Sequence, residues 1–312
     1  MPTTRALDSV NCTAHTRIDS VNEWWWWLMF DEHLIDTPVG ALAVRVSQPV
    51  ANRRAANRPA ALLWHSLFVD ARSWGRVEDD LAEDRRLVMV NGPGHGTSRD
   101  RGRRYTMTEC ADAAALVLDV LGIEDAVDWV GNAWGGHVGI IFAARRPERC
   151  RTLVAVGTPV HAYSLKGRLE TRALLAVHRL LGPSRFLTES VTEALLSTRT
   201  RTQDPAAVDL VRDCFLNADR AGLRNAVVSI SVHRDDLTPL LPSIRVPTLF
   251  VTGDEHPEWP PELAETTSRL LPQGSTAVLQ GAAYLGPLEA PEQLAKLVRE
   301  FWATQGAHAR SQ

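Results

Sequence analysis

From residue 38 onward, short β-rich apolar runs alternate with stretches of helical periodicity. ALAVRV (41–46), AALLWHS (60–66), RRLVMVNG (85–92), VDWVGNA (127–133), RTLVAVG (151–157), PTLFVTG (247–253) and STAVLQG (275–281) read as strands. Most are continuous apolar runs, the pattern of strands covered on both faces. TMTECADAAALVLDVLGI (106–123) sets Thr106 and Glu109 at capping-box spacing, carries an apolar stripe through Ala113, Leu116, Val117 and Leu121, and stops at Gly122, which predicts a helix. The alternation breaks at residues 160–244, where LETRALLAVHRLLG and PAAVDLVRDCFLNADRAG are helical with no strand between them; PEQLAKLVREFWAT (291–304) then gives a final amphipathic helix. The order predicts an α/β fold: a mostly parallel twisted sheet flanked by helices, with its core at 38–159 and 245–306, a helical lid at 160–244 and a short tail at 307–312.

Residues 1–37 read as a poorly ordered N-terminal extension. Within it WWWWLMF (24–30) sets four tryptophans in a row, followed by Asp31 and Glu32. A polar stretch before the run, its shortness and the lack of a small-residue cleavage site argue against a signal peptide. Either the run is an apolar hook for a partner, the lid or a membrane surface, or it lies upstream of a true start at Met29.

Composition narrows the function more than the fold. The 312 residues are 45% hydrophobic and 23% charged, with 34 basic and 37 acidic residues and a net charge of −3. That balance gives no broad attraction for nucleic acid or an anionic membrane, and RRAANR (53–58) and RDRGRR (99–104) read as solvated loops. No apolar run approaches the ~18 residues of a membrane span. Cys12, Cys110, Cys150 and Cys214 lie too far apart for metal-ligand spacing, and a reducing, cytoplasmic setting is expected. No His/Cys/Asp/Glu cluster has metal spacing and no dinucleotide fingerprint follows the first strand, so neither metal nor cofactor is expected. The expected partner is a small molecule.

Three motifs each follow a strand: WHSLFVD, NGPGHGTS and VGNAWGGHVG. With the helical insertion, PTLFVTGDEHPEWPPELA and QGAAYLGPLEAPE, they resemble the α/β-hydrolase superfamily, its epoxide hydrolase, dehalogenase and esterase branch, over residues 38–304. The resemblance implies that fold, with the lid inserted after its sixth strand. It also implies a glycine-flanked elbow carrying a nucleophile at the tip, here Gly131, Asn132, Ala133, Trp134 and Gly135. The family's acid position falls on His256, three residues past Gly253, and its histidine position on Tyr284. All three triad positions are thereby substituted, and a Ser-His-Asp hydrolase is not expected.

The resemblance further implies an oxyanion hole from the Trp134 and Leu67 N–H groups. His65 and Ser66 stand for the usual His-Gly, so Ser66 is expected to take up the glycine's backbone angles. Tyr284 with His256 reads either as an acid/base dyad with shifted pKa values or as a hydrogen-bonded seal on an apolar pocket. Asp254 or Glu255 is a possible substitute carboxylate. His65, Ser66, Asn132, His161 and Trp259 are candidate substrate-binding residues, with Tyr163 beside them; His95 and His137 read as structural. Three functions remain open: a non-serine enzyme acting on a small, largely apolar carbonyl compound by proton transfer, cyclisation, elimination or water-mediated cleavage; a catalytically inactive small-molecule binder; and a hydrolase that works through the substitute carboxylate.

Overall fold

The computed structural model describes residues 30–47 and 58–309, so the tryptophans at 24–27 and the expectations attached to them lie outside the described residues. The strands are β1 (Phe30–Thr37), β2 (Gly40–Ser47), β3 (Ala60–Trp64), β4 (Arg86–Val90), β5 (Arg99–Asp100), β6 (Val127–Asn132), β7 (Cys150–Val156), β8 (Thr248–Gly253) and β9 (Gly274–Leu279). They form one sheet in the order β1-β2-β4-β3-β6-β7-β8-β9, with β5 paired to β2. From β4 to β9 along that order the pairs are parallel, whereas β1, β2 and β4 pair antiparallel. All seven apolar runs are strands.

The two strands the apolar pattern did not reveal lie at the antiparallel end. Phe30–Thr37 belongs to the sheet rather than to an extension that runs to 37. FDEHLIDT is too polar for a strand covered on both sides, but as an edge strand it buries only part of one face, including Ile35 and Thr37. The neighbouring β2 alternates buried and half-buried positions, while β3, β6 and β8 are buried at every residue.

The central strands send alternate side chains into two apolar layers. Leu62, Trp64, Trp129 and Leu153 pack with Cys110, Val138 and Phe142 on one side, and Leu63, Val130 and Val154 with Trp74, Leu294 and Trp302 on the other. The helix Met107–Val120 forms with its capping box intact: Thr106 accepts from the Glu109 N–H, and Glu109 accepts from the Thr106 N–H. Between β7 and β8 the described residues are helical or irregular, with helices Leu165–Leu181, Arg185–Leu195, Thr198–Gln203, Pro205–Asn217 and Arg220–Val227. The chain ends in the helix Pro291–Ala309. Among the described residues no helix is long and apolar enough to cross a membrane.

The topology fixes where a site can form. The chain leaves β3 toward one edge and returns as β6 on its other side, so β3 and β6 are neighbours whose carboxyl ends open onto a crevice. The turn after β6 is tight enough to exclude side chains at two positions. A Cβ on Gly131 would lie 2.2 Å from the Gly135 carbonyl, and one on Gly135 would lie 1.9 Å from the Trp64 carbonyl oxygen. Both obstacles are backbone, so relaxation requires moving the sheet or the helix. Gly135→Ala is expected to lower the unfolding free energy by about 3 kcal/mol in urea denaturation; an unchanged midpoint would show that the elbow has room the structure does not display.

Candidate active site

Ala133 sits at the tip of the turn with φ 46° and ψ −100°, a conformation that L residues rarely adopt. The turn is held from three directions. The Ala133 N–H donates to the Val156 carbonyl at 2.7 Å, the Gly135 N–H to His65 at 3.2 Å, and the His137 N–H to Ala133 at 3.0 Å. Helix Trp134–Arg145 begins there, so the Trp134 N–H is among the donors a helix leaves without an intrahelical partner. The Trp134 indole is not a pocket wall: it is buried beneath Gly92, with ring centroids 5.5 Å from Trp64, 5.4 Å from His65 and 5.2 Å from His95.

The loop after β3 brings Leu67 to the same end of the sheet. His65 accepts the Gly92 N–H at Nε2 (2.8 Å), which leaves its proton on Nδ1 to donate to the Ser66 carbonyl at 2.6 Å. Ser66 and His65 are buried. The left-handed conformation expected at Ser66 occurs instead at Phe68, with φ 69°. The loop therefore keeps its sharp bend but makes it two residues later, with a half-buried aromatic side chain at the bend.

Tyr284 is fixed by its backbone. Asn132 donates through Nδ2 to the Tyr284 carbonyl (2.8 Å) and to Val156 (3.1 Å). Glu289 accepts the N–H groups of Ala283 (2.9 Å) and Leu285 (3.0 Å) on either side of it. Asp254 Oδ1 accepts from Gly281 (2.7 Å) and Ala282 (3.3 Å). Asn132 is fully buried and links the elbow to this loop, so here it is a tie rather than a substrate contact. Asp254 is engaged in the loop and Glu255 is exposed, so neither supplies a carboxylate to Tyr284.

His256 and Tyr284 do meet, with ring centroids 3.8 Å apart and planes 41° apart. His256 Nδ1 accepts the backbone N–H groups of Trp259 (3.0 Å) and Glu258 (3.2 Å), which puts its proton on Nε2, a buried atom with no hydrogen-bond partner. Burial lowers the His256 pKa to about 4. Burial raises that of Tyr284 well above the phenol range, and the Glu258 carboxylate and Tyr163 raise it further. Both shifts keep the rings neutral at pH 7.

The carboxylate beside Tyr284 is Glu258, which the sequence pattern did not single out. It also acts on Tyr163, whose pKa burial, followed by Glu258, pushes up to about 12. The Arg234 guanidinium lies over the Tyr163 ring at 4.4 Å. Glu258 stands five residues past Gly253 rather than three, and Arg234 lies in the polar run HRDD; nothing in either pattern marks a site residue.

Of the other expected residues, His161 and Trp259 stay neighbours, with ring centroids 6.3 Å apart, but differ in exposure. Trp259 is fully buried, edge-on to Phe250 at 5.9 Å, while His161 is exposed and bonded to Thr238 at 3.3 Å. Tyr163 does line a cavity of about 200 Å³ under the insertion, together with Phe68, Leu175, Leu187, Leu195 and Phe215. His95 and His137 are buried and structural in position, the latter bonded to the Pro159 carbonyl at 2.7 Å.

Comparison with known proteins agrees with the fold. Residues 59–180 match the family model described as the alpha/beta hydrolase fold. The chain is 27% identical over 236 residues to 2-hydroxymuconate semialdehyde hydrolase of Pseudomonas putida, covering 72% of this chain and 80% of that one. It is 26% identical over 217 residues to the pimeloyl-[acyl-carrier protein] methyl ester esterase of Neisseria meningitidis serogroup C, covering 69% and 82%. The malate-bound structure of a thermophilic esterase from Thermogutta terrifontis superposes with a TM-score of 0.78 at 25% identity, covering 88% of this chain and 98% of that one.

Four buried neutral histidines dictate an acid sensitivity. Burial lowers His65 and His256 to about 4 and His95 and His137 to about 3, from 6.5. Between those values and 6.5 the unfolded chain binds protons that the folded chain does not, so stability falls as pH drops. Each histidine contributes a slope of up to about 1.4 kcal/mol per pH unit. Urea midpoints are expected to fall steadily from pH 7 to pH 4.5; a flat profile would show these rings protonated in the fold. The elbow yields a second expectation. Ala133→Ser alone should leave 4-nitrophenyl acetate hydrolysis at background, because neither neighbouring ring accepts a proton. Ala133→Ser with His256→Asp and Tyr284→His should exceed that single variant by about 100-fold or more, the contribution of a positioned general base; equal rates would show that the elbow no longer presents residue 133.

Proposed function

We propose that this chain, which has the α/β-hydrolase fold and belongs among the proteins of that superfamily, acts on a small, largely apolar carbonyl compound without forming a covalent intermediate at the elbow. The chemistry is proton transfer, with cyclisation, elimination or water-mediated cleavage as its outcome. What supports this most is Ala133: the strained backbone of the elbow is kept, yet the side chain has no atom able to attack a carbonyl. Ala133, His256 and Tyr284 stand in this reading at the three triad positions. The Trp134 and Leu67 N–H groups hold the carbonyl oxygen as negative charge develops on it.

Tyr284, neutral and hard to ionise, is the proton donor to that oxygen or to a leaving group. Glu258, exposed to solvent, takes up a proton from water and passes it on to restore the phenol, and His256 orients the phenol through ring contact while its own protons stay in place. The helices of residues 160–244 act as the lid. The hydrolase names of the relatives support a small substrate with a carbonyl or ester group. A second reading, a binder with no turnover, has one observation in its favour: the cavity under the insertion is lined by Phe68 and Tyr163 but not by Ala133, Tyr284 or His256.

The two readings part at Tyr284. Tyr284→Phe should reduce turnover by about 100-fold or more while ligand binding persists, the scale of a lost general acid. Unchanged turnover would remove Tyr284 from the chemistry, and stoichiometric binding with no product from the unsubstituted protein would favour the binder.

A further inference from the structure

Arg234 is a buried cation with no direct ion pair among the described residues, and the Glu258 carboxylate acts on it only through its field. Its residue is 7% exposed, its Nε is shut off from solvent with no partner, and its guanidinium forms no hydrogen bond or ion pair with any described residue. A buried charge left this way is costly unless something else neutralises it. Its ring contact is with Tyr163, over which it lies at 4.4 Å, and its field reaches Tyr284 without a ring contact. Glu258 is nearby but exposed, and it is not within the 4.0 Å of an ion pair. Tyr163 also forms part of the wall of the apolar cavity, among Leu175, Leu187, Leu195 and Phe215. One tyrosine therefore borders both an apolar space and an unpaired cation.

We propose that Arg234, with the phenols of Tyr163 and Tyr284, forms a carboxylate subsite, so that the molecule held under the insertion is an oxo acid or half-ester whose apolar chain lies in the cavity. The inference rests on the small-carbonyl reading above and adds the charge of the ligand to it. A carboxylate matches a guanidinium in shape and charge, and two phenols add donors from the side. Glu258 sets the affinity: its negative charge opposes an incoming anion and competes for the same phenols. Arg224 lines the cavity as well and is the rival cation.

Three probes of similar length separate the possibilities by calorimetry: hexanoate, hexanamide and 1-hexanol. Hexanoate is expected to bind at least tenfold more tightly than the neutral pair, the scale of a charge-assisted contact. Arg234→Met should remove that preference, Arg234→Lys should keep part of it, Glu258→Gln should strengthen hexanoate binding, and Arg224→Gln should leave the preference in place. Equal binding of hexanoate and hexanamide by the unsubstituted protein overturns the subsite, and so does a preference lost in Arg224→Gln but kept in Arg234→Met. If Arg234→Met does not fold, the unsubstituted protein and Arg234→Lys still decide. These readouts need no turnover, so loss of the hexanoate preference is distinguishable from failure of Tyr284 as a catalyst.

Discussion

The backbone at Ala133 is the constraint on which the site depends. A left-handed residue between a buried strand and a buried helix stores on the order of 1–3 kcal/mol of strain, and it persists only where its surroundings leave no alternative. Here the surroundings are Gly131 and Gly135, which let the helix start touch the strand and the Trp64 carbonyl, and the hydrogen bonds to Val156 and His65. One turn thus aligns the helix N-terminus, the loop after β3 and, through Asn132, the Tyr284 loop. Its geometric work does not require a nucleophilic side chain. That is why a methyl group at the tip is compatible with an intact site.

Around that turn the burial of polar groups sets the chemistry. His65, His95, His137 and His256 are all neutral for the same reason, the desolvation of an imidazolium. Tyr284 is neutral for the converse reason, the desolvation of a phenolate. The neutral rings here are consequently proton donors: the phenols of Tyr284 and Tyr163 and the His256 Nε2–H. Such a set suits a ligand rich in oxygen acceptors, and it lacks the strong base that acyl transfer to a serine demands.

The architecture was legible in the sequence because the buried strands are apolar at nearly every position and the glycines of the elbow have no steric substitute. β1 escaped because an edge strand buries too little to leave a pattern, and β5 because two residues have no period. At the site, motif spacing led to Ala133, His256 and Tyr284, and the two rings do touch. It failed where burial rather than spacing decides. Trp259 turns inward, Asn132 is a tie, and the bend assigned to Ser66 falls at Phe68. Arg234 was missed because a charged residue in a polar run looks solvated until the fold buries it, and Glu258 because it stays exposed and stands outside the family's spacing.

In the proposed function, reaction does not pass through a covalent bond to the elbow. Intact-protein mass spectrometry after rapid acid quench of the protein with a small activated ester tests it most directly. The unmodified mass is expected at every time point, with no acylated peptide spanning residues 127–145 after digestion. An acyl adduct that maps to that peptide, forms within a turnover and decays with product release would contradict it.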